Sequence, residues 1–175
     1  PSEVTGVLQG KAVSVQIKSP AGELLESAIP RVAIVKDGSY AQEDWEASES
    51  DEVDLLALLQ DRLKRFPLSG FVNEGLSPYG RVQGQARKAI LSRAVYSGIP
   101  VAFAGRGNTE GFSNPGGPFI GASNLSSTKA RLLLMACLMK YGSLPVAADP
   151  DHPTAAERAA TAEVLTEFRR IFRSH

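Results

Sequence analysis

Residues 70–106, GFVNEGLSPYGRVQGQARKAILSRAVYSGIPVAFAGR, decide the fold. The stretch opens on a short apolar strand, Phe71-Val72, and passes through the polar, glycine-bearing run Asn73-Glu74-Gly75-Leu76-Ser77-Pro78-Tyr79-Gly80. Val82, Ala86, Ala89, Ile90 and Ala94 then recur at helical spacing, and Gly98 stands where a left-handed residue closes a helix. Val101-Ala102-Phe103-Ala104 follows as an unbroken apolar run, as expected of a strand covered on both faces. Strand, helix and strand in this order form a βαβ unit, whose two strands are parallel.

The flanks extend the pattern. Upstream, Val32-Ala33-Ile34-Val35 reads as the first core strand. Between it and the βαβ unit lies an acidic stretch, Glu43, Asp44, Glu46, Glu49, Asp51, Glu52 and Asp54, leading into Val53, Leu56, Leu59 and Leu63. Ser50 as N-cap, acids in the first turn and Arg62, Lys64 and Arg65 in the last make this a dipole-complemented helix ended by Pro67. Residues 3–17 alternate apolar and polar side chains about Gln9-Gly10, the mark of a β-hairpin. Downstream, Phe119-Ile120-Gly121 is a fourth strand, and Ser126 or Ser127 caps a helix ending near Gly142. Thr154-x-x-Glu157 is a capping box that opens the last helix. The fold class is therefore α/β: a three-layer domain with a small, mostly parallel sheet of about four strands flanked by helices, preceded by a hairpin.

The whole chain has 175 residues, enough for one core. Its 19 basic and 19 acidic side chains cancel, and no basic stripe marks a nucleic-acid partner. Nor does any apolar run reach the roughly 20 residues that span a bilayer. The one cysteine, Cys137, permits no internal disulfide, so the compartment stays open, with the cytoplasm as default. Pro1 in place of Met suggests a processed chain or a piece of a longer one.

In a parallel sheet, ligands gather beyond the carboxyl ends of the strands. Residues 73–80 and 105–117 occupy that place, and Glu74 and Glu110 are their acids. Turn formation by Gly75 and Gly80 is the simpler explanation of the glycines, and solvation the simpler fate of the two carboxylates. Neither segment is a phosphate loop, since G-x-x-x-x-G-K-[ST] is absent and Gly105-Arg106-Gly107 lacks the rest of a dinucleotide fingerprint. His152 and His175 are isolated, so neither a metal site nor a Ser-His-acid triad is expected, and no cofactor is implied. Cys137 lies in an apolar helical stretch and reads as a buried structural thiol. Asn124-Leu125-Ser126 matches a glycosylation sequon but serves better as a helix cap.

Four stretches carry a resemblance to a known family: GVLQGKAVSV, IPRVAIV, residues 70–106, and FIGASNLSSTKARLLLMACL. Their order resembles the C-terminal domain of the bacterial-type L-asparaginases, including the glutaminase-asparaginases. The SGIPV strand start and the L-x-x-x-KAR-x-LLM helix are its most specific parts. The resemblance implies that residues 1–25 are the hairpin and linker from a preceding domain and residues 26–175 the C-terminal α/β domain. It also implies hydrolysis of the side-chain amide of L-Asn to L-Asp and ammonia through an acyl-enzyme on a Thr. In the family that Thr and the groups activating it belong to the N-terminal domain, so no residue here is assigned a catalytic role and the chain alone is expected to be inactive.

What such a C-terminal domain contributes is the rim of a neighbouring subunit's site. By position Ser77, Tyr79, Asn108 and Glu110 are the substrate-binding candidates, although the family's Gly-Asn-Gly-Asn-like loop is here Gly75-Leu76-Ser77-Pro78-Tyr79-Gly80. The implied partners are an N-terminal catalytic domain of the same protein, further copies in a homo-oligomer, and a small amino-acid amide. Two alternatives stand beside this reading: a non-catalytic binding or assembly module that kept the fold, and a free-standing small-molecule binder using residues 73–80 and 105–113.

Overall fold

The structure is a computed structural model and describes residues 2–8, 11–36, 68–75, 85–106 and 115–175. Strands β1 (Glu3–Leu8) and β2 (Lys11–Gln16) pair antiparallel as a hairpin. The main sheet contains β3 (Val32–Lys36), β4 (Gly70–Gly75), β5 (Val101–Gly105) and β6 (Ile120–Gly121) in the order β3-β4-β5-β6, all parallel. The described helices are α1 (Gln85–Tyr96), α2 (Ser127–Tyr141) and α3 (Ala155–Arg173). A single 3₁₀ turn at Glu26–Ala28, without a sequence signature, leads into β3.

Helix ends follow the local chemistry of the sequence. Ser126 Oγ accepts the Lys129 N–H at 3.4 Å at the start of α2, so the sequon serine is the cap. Thr154 and Glu157 form the reciprocal capping box of α3, and Glu157 also accepts the Ala148 N–H at 2.7 Å, tying the preceding loop to the cap. Gly98 closes α1 at φ +92°, and a Cβ there would meet Val146 Cγ2 at 3.0 Å, so both conformation and space call for glycine.

Strand register divides the side chains between two faces. Gly70, Val72 and Glu74 of β4 share a face with Val32, Ile34 and Lys36 of β3, while Phe71 and Asn73 lie on the other with Ala33 and Val35. A Cβ on Gly70 would touch Leu134 and Leu138, which puts α2 on the first face. A sheet built in sequential order by right-handed crossovers carries its connections on one side, so α1 covers the second face while α2 and α3 close the first. On α2 the buried stripe is Ala130, Leu134, Cys137, Leu138 and Tyr141; on α3 it is Thr161, Leu165, Phe168 and Phe172. The α2 and α3 stripes face the side of the sheet that carries Val72 and Ala102, while Phe71 and Val101 lie on the other side; all four are fully buried. Phe103 and Phe119 stack at 4.5 Å between ring centroids.

The architecture is thus the three-layer α/β arrangement expected from the sequence, with one boundary displaced. Strand β4 continues through Asn73, Glu74 and Gly75, which had been read as loop, because β3 and β5 supply backbone partners on both sides as far as Glu74. The acidic helix expected after residue 50 and the hairpin turn at Gln9-Gly10 lie outside the described residues. No described helix is long and apolar enough to cross a membrane.

Candidate functional site

The carboxyl ends of β4 and β5 and the first turn of α2 converge on Glu74. Its Oε2 accepts a hydrogen bond from Ser127 Oγ at 2.5 Å, and its Oε1 one from Arg106 Nε at 3.1 Å. Parallel pairing of Glu74 with Ala104 and Gly75 with Gly105 brings residue 106 beside the carboxylate, and the Ser126 cap sets Ser127 in the first turn of α2. The Glu74 side chain is only 12% exposed, against 43% for Arg106. A solvated loop carboxylate was expected here; the residue is instead the polar terminus of a central strand.

The Ser127 hydroxyl is the largest influence holding the Glu74 carboxyl below the ordinary glutamate range; burial opposes it, and Arg106 and Lys36 add to the lowering. A carboxylate so stabilised is a weak base. The cluster is an anchor: it ties the carboxyl ends of β4 and β5 to the first turn of α2. Among the described residues no group of three or more His, Cys, Asp or Glu is placed to hold a metal ion.

Asn73 occupies the opposite face. It is fully buried, and among the described residues neither Oδ1 nor Nδ2 of its amide has a hydrogen-bond partner. An orphaned buried amide costs about 1–3 kcal/mol, so its retention among Phe71, Val72 and Phe103 stands out from the surrounding apolar packing. Two further features shape this end of the sheet. Ser123, between β6 and α2, adopts φ +53°, an unusual backbone state for a residue other than glycine. The Arg169 guanidinium, half-buried and shifted below the usual arginine range chiefly by desolvation, donates to the carbonyls of Gly117 and Phe119 at 2.8 to 3.1 Å and sets the approach to β6.

The four candidates Ser77, Tyr79, Asn108 and Glu110 lie outside the described residues. What the structure brings together is Glu74, Arg106 and Ser127, of which only Glu74 had been weighed as a functional acid. Arg106 lay within the polar segment and Ser127 counted only as a cap; no local pattern links residues separated by 32 and 53 positions. Cys137 is buried as expected, its thiol pushed up to about 11 by desolvation, which makes it inert. His152 pairs with Asp149 at 3.1 Å on an exposed loop, and among the described residues it belongs to no group placed to hold a metal.

No protein-family model and no curated protein matches the sequence. Among solved structures, the chain is similar to the crystal structure of a probable cytoplasmic L-asparaginase from Campylobacter jejuni, with a TM-score of 0.51 at 19% sequence identity. The match covers 96% of this chain and 47% of that one, so the chain spans about half the length of its neighbour. The likeness is one of fold: this chain has the architecture of part of an L-asparaginase chain.

Proposed function

We propose that this chain is the C-terminal, intersubunit domain of an L-asparaginase-like amidohydrolase that converts the side-chain amide of L-Asn to L-Asp and ammonia, and that it is inactive alone. The observation that carries this reading is the fold match over 96% of the chain to part of an asparaginase chain, joined to the motif order described above. In this reading residues 1–25 belong with the preceding domain and residues 26–175 form the C-terminal one. The separate two-stranded sheet of β1 and β2 supports that division.

The chemistry is divided between domains. A Thr nucleophile and its activating groups come from the N-terminal domain, and this chain supplies a rim that orients the amino-acid part of the substrate in a neighbouring subunit's site, requiring a homo-oligomer. Ser77, Tyr79, Asn108 and Glu110 are the rim residues of the proposal. In this reading Glu74 is a positioning residue that, through Arg106 and Ser127, holds the carboxyl ends of β4 and β5 against α2. Such alignment acts on the rate through orientation rather than bond making.

A second reading, a binding module without catalysis, is favoured by Asn73, whose amide offers one acceptor and two donors with no partner. Ammonia release from L-Asn separates the two. The native protein purified from its source is expected to release ammonia, and the 175-residue chain alone to release none. Activity of the isolated chain would overturn the division of labour. A native protein that binds L-Asn by calorimetry without turnover would establish the second reading.

A further inference from the structure

Helix α3 carries two arginines, Arg169 and Arg173, one turn apart on the same flank of its buried stripe. Arg169 is half-buried and fixed in place. Its Nε and Nη2 together clasp the Phe119 carbonyl at 3.1 and 3.0 Å, and Nη2 also donates to the Gly117 carbonyl at 2.8 Å. The two N–H donors of Nη1 go to no acceptor among the described residues. Arg173 is exposed and makes no hydrogen bond or ion pair among the described residues.

Carbonyl oxygens satisfy the donors of Arg169 but leave its charge uncancelled. The charge that acts on it is a second cation: Arg173 joins burial in pushing the Arg169 guanidinium below the usual arginine range. Among the described residues no carboxylate pairs with either, whereas Arg170 beside them is matched by Glu167 at 3.0 Å. The dipole of α3 favours cations at this end, yet the two charges still stand together without an anion. This donor set selects its occupant. A carboxylate brings two oxygens and one charge, enough for one guanidinium fork; a phosphate group brings at least three oxygens and close to two charges, enough for both. We propose that Arg169 and Arg173 form a binding site for a phosphate group, free or carried on a small molecule. Arg169 is the preorganised half, its plane fixed by three hydrogen bonds, and Arg173 is the exposed half that turns to meet the anion. The carbonyls that hold Arg169 lie at and before Phe119, ahead of β6, whose Ile120 pairs with Ala102, while Glu74 pairs with Ala104. The site shares no residue with the Glu74 cluster and is independent of the proposed amidohydrolase function.

The test titrates the isotope-labelled 175-residue chain with inorganic phosphate and follows the guanidinium Cζ resonances of Arg169 and Arg173. Ionic strength is held constant, the pH is about 8 so that a phosphate group carries close to two charges, and succinate serves as a dianion without phosphate geometry. Both resonances are expected to shift together and saturate with phosphate, and succinate to bind more weakly. Arg173→Gln, at an exposed position where folding is not at stake, should weaken phosphate about tenfold, and Arg173→Lys should recover part of the loss by restoring the charge without the fork. A phosphate monoester that saturates at lower concentration would place the group on a larger ligand, and equal saturation would make free phosphate the ligand; both outcomes support the site. No saturable shift, succinate binding as tightly as phosphate, or an unchanged affinity in Arg173→Gln would overturn the proposal.

Discussion

The two ends of strand β4 are held by different means. At its amino end Gly70 sits so close to Leu134, Leu138 and the Pro100 carbonyl that a Cβ would meet them at 3.2 to 3.3 Å, and the next residues, Phe71 and Val72, are fully buried. At its carboxyl end Asn73 is buried without a partner and Glu74 is held by a serine and an arginine from distant segments. The first end is stabilised by shape and dispersion, which fail when atoms are removed. Stability at the second depends on which polar groups are matched, so single substitutions there can act in either direction.

The largest effect is expected at the packed end. Leu134→Ala removes a fully buried side chain that meets the sheet at Gly70 and should cost about 3 kcal/mol in urea unfolding, seen as a lower midpoint at unchanged slope. A cost below about 1 kcal/mol would mean that α2 collapses into the gap and that the packing is less specific than the contacts indicate. At the carboxyl end Asn73→Leu should do the reverse and raise stability by about 1 kcal/mol, because it replaces an unpaired amide by an apolar group of similar volume. A loss instead would show that the amide is satisfied in solution, and would erase the contrast between the two ends.

The smallest effect has a pH signature. The folded Glu74 carboxyl titrates below its unfolded value of about 4.3, so its contribution is present above that pH and is lost as pH falls through the folded value. Glu74→Gln should therefore cost about 1 kcal/mol near pH 7, and the gap to wild type should narrow as the pH is lowered from about 4.3 through the folded value. A gap that is constant across that range would assign the loss to altered packing rather than to the charge.

Much of this fold can be read in the sequence because its signals are local. Val101-Ala102-Phe103-Ala104 is apolar at every position, as a central parallel strand must be, and Thr154 and Glu157 cap a helix with atoms three residues apart. Gly98 marks a positive φ that few other residues accept. The polar end of β4 was harder to read for the same reason. Asn73-Glu74-Gly75 has the composition of a loop, and only pairing with β3 and β5 makes it strand. Likewise the burial of Glu74 depends on Ser127, which α2 brings back to the sheet from 53 positions away. The four rim candidates, Ser77, Tyr79, Asn108 and Glu110, lie outside the described residues; at the described end of the sheet local chemistry identifies Glu74 as an acid of interest, whereas its partners are fixed by topology alone.

The sequential strand order also bears on how the molecule is made. Because β3, β4, β5 and β6 lie side by side in the order of synthesis, each strand emerging from the ribosome finds its neighbour already present, and no strand must be inserted between two others. Cover on the α2 side is not so conveniently timed. Helix α2 packs against β3, β4 and β5 yet begins only at Ser127, after all four strands have been made. A chain stalled between Gly121 and Ser127 would carry a finished sheet with one apolar face bare, the stage of its synthesis most in need of a chaperone.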